Sequence, residues 1–255
     1  MSTLANARDV LALIARRRRD LTVTDAAQEL DAPKSSVSRT LAMMAEYGFL
    51  DRDPITKAYR PGPLVMEASY HFRASQNVVS LFEGEIGKLI ETFGYTGYIT
   101  TLVGNESLVI HMRSGTAGTL QAYTPVGTRA PSYASSMGRA ILARLDDAEA
   151  VARAGNRFEQ FGQAPHSRGE LLAQLAEIRT AGWVLSRGEV LPDVAGFSSA
   201  AHDPGTDQTF AIGIALPVSE LSDALIDRCS IAVRDAAMRV GRSVGDPYWL
   251  AFRAA

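Results

Sequence analysis

Two stretches of this chain carry residue types at spacings suited to binding chemistry. In the first, Lys34, Ser35, Ser36, Ser38, Arg39 and Thr40 alternate cations with short hydroxyls, and no acid appears before Glu46. Short polar side chains let a helix approach base edges, while Arg and Lys reach phosphates or guanine. A solvated helix face is the ordinary explanation of such a run, but an acid-free face is unusual for one. The chemistry it suits is contact with duplex DNA. In the second stretch, Tyr133-Ala134-Ser135-Ser136-Met137-Gly138 puts small residues ahead of a helix expected over about 137–144. Free backbone N–H groups at a helix start attract a carboxylate, and serine hydroxyls add donors. The same letters also fit an ordinary serine N-cap.

The elements that would position the first stretch are legible. Leu4, Ala7, Val10, Leu11, Leu13 and Ile14 recur at nearly helical spacing, giving a helix over 4–17 that ends in the four arginines Arg16 to Arg19. Those cations either suit a solvated helix C-terminus or contact phosphate. A second helix starts at Thr24 as N-cap and runs to Leu30; Pro33 then suits the first turn of a third, over 34–47. Val37, Leu41, Met44 and Ala45 are the buried side of that third helix, opposite the hydroxyls and cations. Gly48 ends it. Residues 49–52 and 57–60 then form a hairpin around Asp53-Pro54-Ile55-Thr56, with Arg52, Lys57 and Arg60 as its cations.

Charge agrees with this division. Residues 1–62 hold ten basic and eight acidic residues, whereas the whole chain of 255 residues carries a net charge of −2. A mildly basic first part on an acidic remainder fits a polyanion partner for the first part. Length suits two domains. With a single cysteine, Cys229, there is neither an intrachain disulfide nor a cysteine zinc cluster, and the four scattered histidines form no HExxH or HxH pattern. The start of the chain does not read as a signal peptide and no apolar run reaches membrane-spanning length, so a cytoplasmic protein with no membrane partner is expected.

At this point the chain resembles a known family. Three helices and a hairpin carrying APKSSVSRTLAMMAEYGFLDRD and then YRPGP look like the winged helix-turn-helix of IclR-family bacterial transcription regulators. The family's third-helix pattern falls on Pro33, Lys34, Ser35, Ser36, Val37, Arg39 and Leu41, followed by Gly48, Phe49 and Tyr59; Pro61 replaces a usual leucine. Further on, Pro125-Val126-Gly127, Gly138 to Ala143, and Ala181-Gly182-Trp183 leading to Glu189 keep the family's order.

The resemblance implies an α+β protein: a DNA-binding winged helix-turn-helix over 1–62, a linker helix over 63–76, and a GAF-like α/β effector-binding domain over 77–255. It implies double-stranded DNA bearing an imperfect inverted repeat as one partner and a small-molecule effector as another. It also implies a homodimer, or a tetramer built as a dimer of dimers, whose contacts involve the linker helix. No cofactor is implied.

The residues of the second part fit an α+β reading on their own. A helix is expected over 78–93 and strands over 95–103, 107–113, 120–123 and 210–217. Helices are expected over 171–180 and 224–240. The resemblance assigns carboxylate binding to Ser135, Ser136 and Met137. It places the opposite wall between Ser186 and Ser199, with Val194 and Gly196, and adds Gly213 and Ala215 where relatives often carry serines; the charge of Arg187 in that stretch suits pairing with an anion, or, as for most arginines, a place on the surface. Those losses of polar and bulky side chains imply a wider, less polar pocket than one for a small 2-oxo acid. The expected effector is a carboxylic acid with an aromatic or other apolar body.

Two rival classes remain to be weighed. For an enzyme, Ser135 or Ser136 could be nucleophiles with His111 or His202 as bases. However, there is no GxSxG elbow, SxxK, GxxxxGK[ST] or GxGxxG. A DNA-binding regulator without an effector is the other class, and it leaves most of the chain without a role.

Overall fold

The computed structural model describes residues 3–17, 19–74, 77–116 and 123–253. The chain divides into two compact units, Met1–Ser75 and Gln76–Ala255.

In the first unit, α1 (Thr3–Arg17), α2 (Val23–Glu29) and α3 (Lys34–Glu46) precede β1 (Leu50–Arg52), β2 (Tyr59–Pro61) and α4 (Pro63–Ala74). Val10, Leu13, Leu21, Ala26, Val37, Leu41, Met44, Leu50 and Tyr59 form one core from the helical stripes and the inner residues of the hairpin. The second helix starts two residues before the sequence expectation. Thr22, not Thr24, is its N-cap, because Asp25 at the third position completes a capping box with it (Asp25 N to Thr22 Oγ1, 3.1 Å; Thr22 N to Asp25 Oδ2, 3.3 Å). Arg17 pairs with Asp25 at 2.9 Å and also with Glu29, so this member of the arginine run ties α1 to α2. Pro33 stands as the N-cap of α3 rather than inside its first turn.

In the second unit, α5 (Asn77–Phe93) leads into β3 (Thr96–Val103), β4 (Glu106–Arg113) and β5 (Arg129–Pro131). Then come α6 (Ser136–Leu142), α7 (Asp147–Ala154) and α8 (Arg168–Ala181). The chain ends with β6 (Val184–Arg187), β7 (Val194–Asp203), β8 (Gln208–Pro217), α9 (Asp223–Val244) and α10 (Pro247–Ala251). The six strands make one antiparallel sheet in the order β5-β4-β3-β8-β7-β6. The strand expected over 120–123 falls mostly outside the described residues, Tyr123 is not in a strand, and β5 follows it instead.

Strand alternation decides what each face of the sheet carries. Ile99, Phe197, Phe210, Ile212 and Ile214 join Phe82 and Ile86 of α5 and Val233 and Ala237 of α9 in one core. Ala200 and Ala211, from alternate positions of β7 and β8, join Ile141, Leu171, Leu175 and Tyr133 in a second core with α6 to α8. The sheet is therefore covered by helices on both faces. Cys229 lies in the first core, where burial pushes its thiol up to about 11. A protonated, enclosed thiol is a small core residue, not a nucleophile.

The loop before α6 runs tightly under the helix. A Cβ on Gly138 would stand 2.1 Å from the Ser132 carbonyl oxygen. Because the obstacle is backbone, Gly138→Ala is expected to lower stability by about 1–3 kcal/mol, the usual range for overpacking; chemical denaturation of the full chain measures it. No helix among the described residues is long and apolar enough to cross a membrane.

A cationic helix face and a hydroxyl-lined cavity

The exposed face of α3 carries Lys34, Ser35, Ser36, Ser38 and Arg39. Neither Lys34 nor Arg39 makes an ion pair among the described residues, so both charges stay available to an outside partner. Thr40 departs from the expectation. It is 7 % exposed and donates its hydroxyl to the Ser36 carbonyl at 3.1 Å, because its position on the helix turns it toward Val37 and Met44 rather than outward. It supports the face from behind. On the wing, Arg52 lies over the Tyr59 ring at 5.4 Å and Lys57 is exposed. Arg60 is half-exposed and paired with Asp51 at 2.7 Å, so part of its charge is already compensated.

The second unit holds a cavity of about 290 Å³ on the α6 face of the sheet. Alternation on β3, β7 and β8 explains its floor. Tyr98 and Thr100 flank the core residue Ile99, Gly196 and Ser198 flank Phe197, Gly213 lies between the core residues Ile212 and Ile214, and Ala215 between Ile214 and Leu216. One part of the lining is rich in hydroxyls. Ser136 and Ser198 share a hydrogen bond at 2.9 Å, as do Ser107 and Ser135 at 3.1 Å, and Thr100 donates to the Met137 sulfur at 3.0 Å. Ser135 is the N-cap of α6, accepting from Gly138 N at 3.0 Å. The ordinary capping role read from the sequence is thus present, and the same hydroxyl also lines the cavity.

Much of the remaining wall is apolar, from Val109, Pro125, Val190, Leu191 and Val194, with the rings of Tyr98 and Tyr123. Burial pushes the Tyr98 phenol up, and its oxygen accepts from Thr124 N at 3.0 Å. Gly196 keeps the hydroxyl region open: a Cβ there would lie 2.9 Å from both the Ser136 and Ser186 oxygens.

Two charged residues reach the lining. Arg129 is half-exposed at the rim and pairs with Glu106 at 3.1 Å. Glu189 is buried against Arg139, whose Nη2 donates to both carboxylate oxygens at 2.9 and 2.7 Å. Arg139 Nη1 also donates to the carbonyls of Tyr133 and Ala134, so one fully buried guanidinium ties the 188–193 loop to the segment before α6. Burial pushes the Glu189 carboxyl above its ordinary value, and Arg139 opposes that shift.

Arg187 is a correction. It is exposed and absent from the cavity lining, lying in a surface groove with Gln163 and Gln174. Its neighbour Ser186 reaches the cavity, and successive strand residues point to opposite faces. Tyr98, Thr100, Ser107 and Arg129 line the cavity outside the residues the sequence points to, and Glu189 and Ser198 fall within the expected 186–199 wall without being singled out there. Strand register could have found Tyr98 and Thr100, since the core position of Ile99 fixes its neighbours. Among the described residues no group of three or more His, Cys, Asp or Glu could hold a metal ion. His202 bonds Thr209 at 3.1 Å and His111 pairs with Glu83 at 3.1 Å, and neither lines the serine cavity.

A helix-turn-helix with a hairpin wing, joined in one chain to a domain built around a small-molecule-sized cavity, is the plan of a DNA-binding transcriptional regulator. The family comparisons agree. Residues 71–242 match the model of the bacterial transcriptional regulator IclR C-terminal domain, and residues 3–54 match the IclR helix-turn-helix domain. The chain belongs to the IclR family of bacterial transcriptional regulators, whose members are regulators rather than enzymes.

Among curated relatives, the HTH-type transcriptional regulator BhcR of Paracoccus denitrificans is 30 % identical over 237 residues, covering 92 % of this chain and 84 % of the relative. The HTH-type transcriptional regulator XynR of Escherichia coli is 24 % identical over 249 residues, covering 97 % and 98 %. Solved structures share the fold. An IclR-family regulator from Alicyclobacillus acidocaldarius superposes with a TM-score of 0.79 at 20 % identity, over 94 % of this chain and 97 % of that one. A homologue from Microbacterium hydrocarbonoxydans, crystallised in complex with 4-hydroxybenzoate, gives 0.80 at 19 % identity, over 96 % and 99 %.

Proposed function

We propose that the α3 face and the wing bind an imperfect inverted repeat in duplex DNA, through Lys34, Ser35, Ser36, Ser38 and Arg39 with Arg52, Lys57 and Arg60. The chain acts as a homodimer or a dimer of dimers. The exposed apolar side chains Leu64 and Met66 on α4 support a self-association surface there. Two copies related by a two-fold axis present two α3 helices to successive major grooves.

The cavity binds a small organic carboxylic acid with an aromatic or other apolar body. The observation that carries this reading is the cavity itself, with hydroxyls concentrated around Ser135 and Ser136 and apolar walls from Val190, Leu191 and Val194. The N–H groups of Ser136 and Met137 have no protein acceptor among the described residues and suit a carboxylate. At about 290 Å³ the volume is near the lower end of small-molecule pockets, roughly 300–1,000 Å³. The 4-hydroxybenzoate bound to the Microbacterium homologue supports the same class. The acid changes DNA affinity only through different affinities for two arrangements of the regulator.

Calorimetric titration of the full chain tests this reading, using 4-hydroxybenzoate, benzoate, cyclohexanecarboxylate, pyruvate and glyoxylate. The ring-bearing acids are expected to bind. Binding confined to the two- and three-carbon oxo acids contradicts the reading. Replacing Ser135 and Ser136 together by alanine is expected to weaken the best acid about tenfold for each hydroxyl bond lost to a carboxylate. The same change lowers stability by about 1 kcal/mol through loss of the α6 cap, so the titration is run well below the variant's melting temperature.

A further inference from the structure

The wing carries an apolar tip that the core of its own unit does not use. Ile55 is 88 % exposed, more than any other large apolar side chain among the described residues. An isolated exposed aliphatic is common on protein surfaces. Two features set this one apart: the rigidity of its turn and the charge around it.

Every backbone donor of the turn is engaged. Asp53 N donates to Ala58 O at 2.9 Å and Lys57 N to Asp53 O at 3.0 Å. Asp53 Oδ1 accepts from Ile55 N at 2.9 Å and from Thr56 N at 2.7 Å, and Ala58 N donates to the Thr56 hydroxyl at 3.3 Å. Pro54 has no N–H to satisfy. Lys57 closes the turn in the left-handed region (φ +60°), and its ammonium reaches the Pro54 carbonyl at 2.6 Å. A tip fixed in this way loses little conformational freedom on docking.

The charges around the tip are those of β1, β2 and the turn itself. Asp51 is paired with Arg60, and the two N–H bonds to Asp53 hold its carboxyl below the ordinary value. Asp53 therefore stays ionised and offsets one of the two remaining cations, Arg52 and Lys57, so the tip region keeps a small positive excess that attracts an anion.

A rigid, positively biased hairpin ending in a branched aliphatic matches one surface of duplex DNA, the minor groove. Phosphates line both of its rims, sugars give it apolar walls, and an aliphatic wedge can part a base step there. We infer that Ile55 enters the minor groove beside the major-groove site of α3 and wedges a base step, bending the duplex toward the major groove. Its contribution is to read deformability at positions that no side chain hydrogen-bonds. The inference rests on the proposed DNA-binding role of the first unit.

The test uses the full chain and a duplex it selects from a randomised 40-base-pair pool. Affinity is measured by fluorescence anisotropy and bending by energy transfer between the duplex ends. Ile55→Ser is expected to lose about tenfold in affinity and to relax the bend, while Ile55→Leu keeps both. Ile55→Ser within twofold of the unsubstituted chain in affinity, with an unchanged bend, overturns the wedge and leaves the α3 reading standing. Failure of the unsubstituted chain to select any duplex overturns both.

Discussion

Arg139→Ala is expected to destabilise the second unit by about 3–5 kcal/mol, the cost of leaving one member of a buried ion pair alone. Arg139 is 1 % exposed and makes four hydrogen bonds: two to Glu189 and one each to the carbonyls of Tyr133 and Ala134. Its loss strands a buried carboxylate and two carbonyls and frees the 188–193 loop that supplies Glu189, Val190 and Leu191 to the cavity.

The deficit should depend on pH, and its sign follows from Glu189. Burial already holds that carboxyl above its ordinary value, and Arg139 pulls against the shift. Without Arg139 the folded-state value rises further. A raised carboxyl contributes its stability fully below the unfolded value, about 4.3 for glutamate, and loses it as pH rises through the folded value. Denaturant unfolding should therefore show a larger gap between the variant and the unsubstituted chain at pH 8 than at pH 5. A gap independent of pH would mean that Glu189 finds another partner. Glu189→Gln should be milder than Arg139→Ala, because it leaves no unpaired charge.

Arg39→Ala is the second large effect, and it falls on function alone. Arg39 is exposed, unpaired among the described residues, and outside the core of the first unit. Stability should change by no more than about 0.5 kcal/mol, as for most surface substitutions. DNA affinity should fall by about 1–3 kcal/mol for each half-site in which Arg39 meets a guanine bidentately, so a symmetric dimer loses twice that. Mobility-shift titration at fixed salt measures it. An unchanged affinity removes Arg39 from the reading face. A loss equal for all sequences, together with a shallower salt dependence, reassigns it to a phosphate.

The first unit was largely legible because its signals are local. The stripe from Val10 to Ile14, the hydroxyl-and-cation face of α3, and Gly48 each report on neighbours within one or two helical turns. The cap of α2 is ambiguous in the sequence because Thr22 and Thr24 are both good caps, and only the reciprocal bonds with Asp25 choose between them. The residue type of Thr40 suits the outer face, but its helical position makes it back-bond to Ser36.

The second unit was legible in its elements but less so in its cavity. Ser135, Ser136, Met137, Val194, Gly196, Gly213 and Ala215, to which the family resemblance points, all line the cavity. The charge of Arg187 suits an anion, but alternation along β6 turns it away. Thr100, Ser107 and Ser198 come together only through pairing across β4, β3, β8 and β7, contacts between residues up to about a hundred positions apart that no local pattern encodes.

The measurement that bears most directly on the whole account is selection of duplexes from the randomised pool, run in parallel with the unsubstituted chain and with Arg39→Ala. The unsubstituted chain is expected to enrich a sequence with imperfect two-fold symmetry, bound more weakly as salt rises, and the variant to lose that enrichment. Retention of duplex without any sequence preference, or the same enriched sequence from both proteins, would contradict it.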